Sequence, residues 1–255
     1  MFHGQLQSAL RTLYPPVCVT CDAPVTRDFG LCSACLPEMP FIAGGICGTC
    51  GIPLAGLAPG QTDICDSCLH IARPWTQGRA ALLYEGRART LVLQLKHADR
   101  PDLARPAGAW LAQALRPLLQ TDTLLVPVPM HRSRLLRRKY NQAVLLARYV
   151  SRHTERPMSP DLLVRTRKTP MQDHRGREER FSNLDGAIAV SGPRARKIGV
   201  QGRHILLIDD VMSSGATLAA CAAACAAGQA RQVDVAVLAR TGKDEFVTPR
   251  SRTTF

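Results

Sequence analysis
The chain has 255 residues, room for one medium domain and a small one, and its 45% hydrophobic content is ample for a buried core. A formal net charge of +13 points to polyphosphate or nucleic-acid partners. No uninterrupted apolar stretch approaches a membrane span, and residues 1–17 lack the long apolar centre of a signal peptide, so a cytoplasmic location is the expectation.

In chain order, Leu6, Leu10 and Leu13 fall on one face of a short N-terminal helix suited to packing on the neighbouring module, with partner binding as the alternative. Eight of the ten cysteines then follow as four CxxC pairs: Cys18/Cys21, Cys32/Cys35, Cys47/Cys50 and Cys65/Cys68. Zinc prefers four thiolates in a tetrahedron, and each CxxC knuckle presents two of them to one ion. Four knuckles therefore suit two structural Cys₄ zinc sites with no open coordination position. Sequential pairing is preferred, with an interleaved arrangement left open. A module of about 55 residues buries little core, so metal binding would supply much of its folding energy. Residues 1–74 hold three Lys/Arg (Arg11, Arg27, Arg73) and five Asp/Glu (Asp22, Asp28, Glu38, Asp63, Asp66), so this module is acidic and the excess positive charge lies beyond it.

Pro74 marks the expected boundary, giving a zinc module over 1–74, a second domain over 75–242 and a polar tail over 243–255. Strands are expected at 80–84, 123–128, 187–190, 205–208 and 233–238. Helical spacing covers 87–97, 103–119, 141–153 and 218–227. Alternating strands and helices argue an α/β domain with a mainly parallel sheet flanked by helices, whose ligands sit beyond the strands' carboxyl ends. Trp75 and Trp110 read as core or domain-contact anchors, and Cys221 and Cys225 as small residues packing a helix on the sheet.

The most informative stretch is His204–Thr217, HILLIDDVMSSGAT. An apolar run leads into Asp209 and Asp210. A small polar turn, Ser213, Ser214, Gly215, Ala216 and Thr217, then opens an alanine-rich helix. Amides of such a turn and the positive end of the helix receive phosphate, and carboxylates accept hydrogen bonds from sugar hydroxyls. Adjacent residues on a regular strand face opposite ways, so both acids reach one sugar only if the strand ends there and the backbone turns. The chain has no GxxxxGK[ST] run, which sets aside a P-loop ATPase.

This stretch resembles the phosphoribosyl-pyrophosphate (PRPP) signature of the type I phosphoribosyltransferases. The resemblance implies that Asp209 and Asp210 hold the ribose hydroxyls, that Ser213–Thr217 wrap the 5′-phosphate, and that magnesium accompanies PRPP. Leu125–Gln142, LVPVPMHRSRLLRRKYNQ, resembles the pyrophosphate loop of that family, with Met130, His131 and Arg132 on the pyrophosphate side. Arg165–Arg180, RTRKTPMQDHRGREER, resembles its flexible lid, with Gln172, Arg175 and Arg180 as contact candidates. The order of knuckles, basic loop, lid and acidic stretch is similar to the ComF family of competence-related proteins. Such proteins join a zinc-ribbon-like region to a phosphoribosyltransferase-type domain. That resemblance implies a role in natural transformation, in handling incoming single-stranded DNA alongside other competence proteins. It leaves two classes open: a phosphoribosyltransferase releasing pyrophosphate from PRPP, and a non-catalytic protein that binds PRPP or single-stranded DNA.

Overall fold
A computed structural model of the protein describes residues 14–97, 100–167 and 186–242. The expected N-terminal helix with Leu6, Leu10 and Leu13, the lid candidates Gln172, Arg175 and Arg180, and the 243–255 tail lie outside the described residues.

The second half of the chain is built on four strands: β3 (Gly78–Leu83), β4 (Leu124–Pro127), β7 (His204–Met212) and β8 (Gln232–Arg240). They form one sheet in the order β3-β8-β7-β4, and every pairing is parallel. Residues 157–159 add a short parallel fifth edge, with Leu125 bonded to Pro157 O and Ser159. Near-continuous apolar strands such as Ile205–Ile208 suit a sheet covered on both faces. Leu206, Ile208, Ala236 and Leu238 pack under α2 (Gly86–His97), α3 (Ala104–Ala114) and α5 (Gln142–Thr154). Ile205, Leu207, Val233 and Val235 pack under α7 (Ala216–Ala227). Cys221 and Cys225 are buried in that layer as packing groups, and burial pushes the Cys225 thiol up to about 12.

Three short elements beyond the sequence expectation lie between these: α4 (Arg132–Arg138), strand β5 (Leu163–Arg165) and α6 (Gly192–Ile198). β5 pairs antiparallel with β6 (Ile188–Val190), outside the main sheet. The helix expected over 103–119 is shorter. It ends at Ala114, and Pro117 directs the chain into a 3₁₀ turn over Arg116–Leu118.

The N-terminal module carries only two-residue strands, β1 (Ile46–Cys47) and β2 (Thr62–Asp63), and the one-turn helix α1 (Asp66–His70). Its second half docks on the α/β layer. Cys47, Cys50, Ile52 and Cys65 belong to the same buried cluster as Trp75, Ile205 and Leu218. Trp75 donates from Nε1 to Thr49 O at 2.7 Å. Phe41 meets Trp110 edge-on, with ring centroids 5.3 Å apart. Both tryptophans thus anchor the contact between the two parts. Among the described residues no helix is long and apolar enough to cross a membrane.

At the amino-terminal edge of the sheet, fully buried His204 ties three strands together. Its Nδ1 lies 2.8 Å from Thr123 Oγ1, at the start of β4, and its Nε2 lies 3.0 Å from Asp234 Oδ2 on β8. Asp234 also accepts from Gln77 N at 2.9 Å. Removing one partner leaves buried polar groups short of a bond, on top of the void left by the ring. His204→Ala is expected to cost about 2–4 kcal/mol, read as a lower denaturant midpoint with unchanged slope. An unchanged midpoint would mean that this bridge does not brace the sheet.

Candidate functional site
The two cysteine clusters are sequential. Cys18, Cys21, Cys32 and Cys35 form one tetrad and Cys47, Cys50, Cys65 and Cys68 the other, with all sulfurs of each tetrad within 4.8 Å of one another. A tetrahedron with Zn–S near 2.3 Å has edges of about 3.8 Å. Cys21 Sγ and Cys32 Sγ are 3.7 Å apart, and so are Cys50 Sγ and Cys65 Sγ. The halves also repeat one hydrogen bond: Cys32 N donates to Cys18 Sγ and Cys65 N to Cys47 Sγ, each at 3.4 Å. The donor set and spacing fit zinc, and four thiolates per site make the role structural.

The acidic pair occupies a different setting from the one expected. β7 does not end at Ile208 but runs to Met212, paired with β8 through Met212↔Arg240. The β4 ladder, by contrast, stops at Pro127↔Ile208, and only Val128 N still donates, to Ile208 O. Pro127 and Pro129 have no N–H to extend it. Asp209 and Asp210 therefore sit in a strand bonded on one side only. With no turn between them, their carboxylates diverge. Asp210 Oδ1 lies 3.3 Å from Lys96 Nζ of α2. Asp209 faces the opposite side, where Arg165 of β5 and Cys221 of α7 are its electrostatic neighbours. Burial, then the adjacent Asp210, raises the Asp209 carboxyl to about 7, against the opposing pull of the Asp210 amide, Lys96 and Arg165. Burial lowers Lys96, but Asp210 and Asp209 outweigh it and leave the ammonium above its ordinary value.

Beyond Met212, Ser213–Gly215 form the turn into α7. Gly215 is the N-cap with φ +81°, the left-handed region that favours glycine. Ala219 N donates to Gly215 O, and Ala216 N approaches Ser214 Oγ at 3.4 Å. The first-turn amides of a helix have no intrahelical acceptor and face the loop. The carbonyls of this turn are held: Arg73 Nη1 donates to Ser214 O at 2.6 Å, and Arg240 Nη1 to Ser213 O at 2.8 Å and Met212 O at 3.0 Å.

β4 lies beside β7, so Met130, His131 and Arg132 leave the sheet at the same carboxyl edge as the acids. His131 caps α4 by accepting from Ser133 N. Asn141 caps α5 by accepting from Ala143 N and donates to Val128 O, which pins both ends of this basic segment. Arg132, Leu136 and Arg137 are exposed, Leu136 at 84%.

Lys96, Arg165, Arg73 and Arg240 escaped the sequence reading. Lys96 read as a helix-end charge, because nothing in its local pattern reveals a partner 114 positions away on another element. Arg165 arrives on a three-residue strand too short for a period-2 signal.

Charge at the Asp209 site opposes folding as pH rises. A carboxyl with a folded-state pKa above its unfolded value weakens the fold as pH climbs from about 4 through 7. Asp209→Asn should therefore raise stability at pH 8, on the order of 2 kcal/mol, and leave it nearly unchanged at pH 4. Denaturant unfolding at both values checks this, and a loss of stability at pH 8 overturns the assignment.

Comparison with known proteins places the chain among relatives. Residues 9–75 match the double zinc ribbon domain. The chain is 29% identical over 233 residues to the DNA utilization protein YhgH of Escherichia coli strain K12, covering 89% of this chain and 98% of that one. It is 28% identical over 194 residues to Competence protein F of Haemophilus influenzae, covering 74% and 81% of the two chains. It is also 25% identical over 221 residues to Competence protein ComFC of Bacillus subtilis, covering 79% and 85%. The solved structure of TT1426 from Thermus thermophilus aligns with 55% of this chain and 84% of its own at 18% identity and a TM-score of 0.33, a likeness too slight to bear on function. Paired cysteine tetrads at its start, a parallel α/β sheet after them and these relatives along most of its length support a ComF family assignment for the chain.

Proposed function
We propose that this protein takes part in DNA uptake and holds PRPP, or a related phosphorylated ribose, at the carboxyl edge of its sheet. The single observation that carries the reading is the open side of β7 beyond Ile208. Two carboxylates lie there, one of them raised to about 7 by burial and its neighbour, immediately before a glycine-capped helix entrance. Asp210, on the other face of the sheet, contributes charge, and a ribose lying against that open edge meets Asp209. Its 5′-phosphate then falls on the amides of Ser213–Thr217 and the positive end of α7. Lys96 holds Asp210 in place from behind, and Met130, His131 and Arg132 flank the pyrophosphate side. Gln172, Arg175 and Arg180 remain lid candidates from the sequence. Magnesium, bound with PRPP, would neutralise the crowded carboxylates and polyphosphate.

In the enzymatic version of this reading, a nucleophile displaces pyrophosphate at the anomeric carbon. The protein's share is to hold the leaving group and exclude water. Release of pyrophosphate that depends on PRPP and an acceptor separates this version from simple binding.

Calorimetry with PRPP and Mg²⁺ tests the site. Wild-type protein should bind, and more tightly at pH 8 than at pH 6, because the ionised Asp209 is the form that accepts hydroxyl hydrogen bonds. Asp209→Ala or Asp210→Ala should weaken binding at least about tenfold, and the double variant should abolish it. Wild-type protein that takes up no heat with PRPP refutes the reading.

The charge distribution favours single-stranded DNA as the second ligand. Residues 131–180 hold fourteen Lys/Arg against five Asp/Glu, and α4 presents Arg132 and Arg137 beside an exposed Leu136. Replacing Arg137, Arg138 and Lys139 with Ala should weaken oligonucleotide binding and lower the salt-dependence slope by about 2, from roughly 0.7 per phosphate contact on a single strand. A triple variant with the wild-type affinity and slope moves the DNA surface elsewhere.

A further inference from the structure
The second cysteine tetrad and the Ser213–Thr217 loop are joined by a continuous set of short contacts. The knuckle residues Gly48 and Thr49, between Cys47 and Cys50, are pressed on the sheet domain. Gly78 N donates to Gly48 O at 2.8 Å, Arg79 Nη1 to the same oxygen at 3.3 Å, and Trp75 Nε1 to Thr49 O at 2.7 Å. The backbones touch so closely that a Cβ on Gly51 would come within 2.7 Å of Ala80 N, and one on Gly78 within 2.4 Å of Thr49 O. The Trp75 ring, fixed by that bond, carries the Arg73 guanidinium 5.3 Å from its centroid. Arg73 in turn donates to Ser214 O at 2.6 Å. A Cβ on Gly215 would meet both, Arg73 Nη1 at 2.8 Å and the Trp75 ring at 3.1 Å.

Arg240, which is 4% exposed, grips the same loop from within the sheet domain. Its Nη1 donates to Met212 O, Ser213 O and Thr241 O. The first tetrad makes different contacts. Its neighbourhood meets the sheet domain through Arg87 of α2 on Glu38 and Arg105 of α3 over Phe29.

We propose that the second tetrad, Cys47, Cys50, Cys65 and Cys68, sets the conformation of the Ser213–Thr217 loop through Arg73 as a positioning residue, so that metal at this centre and ligand at the loop are thermodynamically coupled. The part that concerns ligand rests on the PRPP reading above, and the part that concerns the loop does not. Zinc holds the knuckle, the knuckle holds Trp75, Trp75 carries Arg73, and Arg73 fixes the Ser214 carbonyl. Coupling of this kind is reciprocal: whatever occupies the loop must slow metal loss from the second tetrad by the factor with which metal favours the ligand.

Hydrogen exchange on the zinc-loaded full chain tests it. In Arg73→Met, which keeps the apolar stem but no donor, the amides of Ser213–Thr217 should exchange on the order of tenfold faster. Leu206 and Leu207 in β7 should keep their protection, and zinc content and melting temperature should stay at wild-type values. Arg73→Lys should restore part of the protection. Cys65→Ser should loosen the loop in the same way, while Cys32→Ser in the first tetrad should not. If the serine variants fail to fold, Arg73→Met alone decides. Loop exchange unchanged in Arg73→Met overturns the proposal. Calorimetry with PRPP and Mg²⁺ on the same proteins separates the two readings. Wild type that binds PRPP alongside Arg73→Met that binds about tenfold more weakly supports both. Faster loop exchange in Arg73→Met, with no PRPP binding by wild type, supports the coupling and refutes the ligand. Equal PRPP affinity in the two proteins overturns the coupling.

Discussion

The unequal lengths of two neighbouring strands shape everything at the carboxyl edge of the sheet. β7 keeps its ladder with β8 as far as Met212, whereas β4 stops at Pro127, and Pro129 follows close behind. Proline has no amide hydrogen to offer, so the β4 chain leaves the sheet while β7 continues. Four residues of β7 are left bonded on one side. Asp209 and Asp210 are among them, and the exposed edge is the crevice where parallel α/β sheets receive ligands. The crowding of charge at that place follows from the same geometry. Burial and the neighbouring Asp210 make the charged form of Asp209 costly, while Lys96 pairs with Asp210 on the other face.

The amino-terminal module solves a different problem. It has two-residue strands and a one-turn helix, too little regular structure to bury a core of its own. Thiolates gathered around zinc replace the missing hydrophobic energy. The two tetrads differ in what surrounds them. Cys47, Cys50 and Cys65 join the apolar cluster under the main sheet, while Cys21 of the first tetrad is exposed. The division of the chain at residue 74 is therefore a division of sequence character more than of packing. Trp75, Gly78 and Arg79 sit at the start of the sheet domain, yet all bond to the knuckle before it.

Charge separates the halves more cleanly than contacts do. The acidic module and the basic segments after it create a dipolar chain, and the helix with Arg132 and Arg137 follows β4 where that strand leaves the sheet. Polyphosphate and single-stranded DNA are both attracted by such a surface, and attraction alone does not distinguish them. The carboxylates do distinguish them in part, since they repel a bare phosphate backbone and welcome sugar hydroxyls and a cation.

Local chemistry was sufficient for much of this from the sequence. Apolar runs and 3.6-residue spacing placed the sheet and its main helices, because burial period is written residue by residue. The CxxC spacings announced zinc, and the sequential tetrads follow the order of the chain. The HILLIDDVMSSGAT stretch placed a strand, two acids and a glycine-capped helix entrance in that order, because their pattern is complete within fourteen residues. What the sequence could not contain was register. The extension of β7 past the acids depends on β8 still lying alongside, and the divergence of Asp209 from Asp210 follows from that extension. The pairing of Lys96 with Asp210 and the grip of Arg73 and Arg240 on the loop join residues 27 to 141 positions apart. Such contacts are decided by which surfaces meet when the sheet, its helices and the metal-bound knuckle pack together, and no local pattern encodes that meeting.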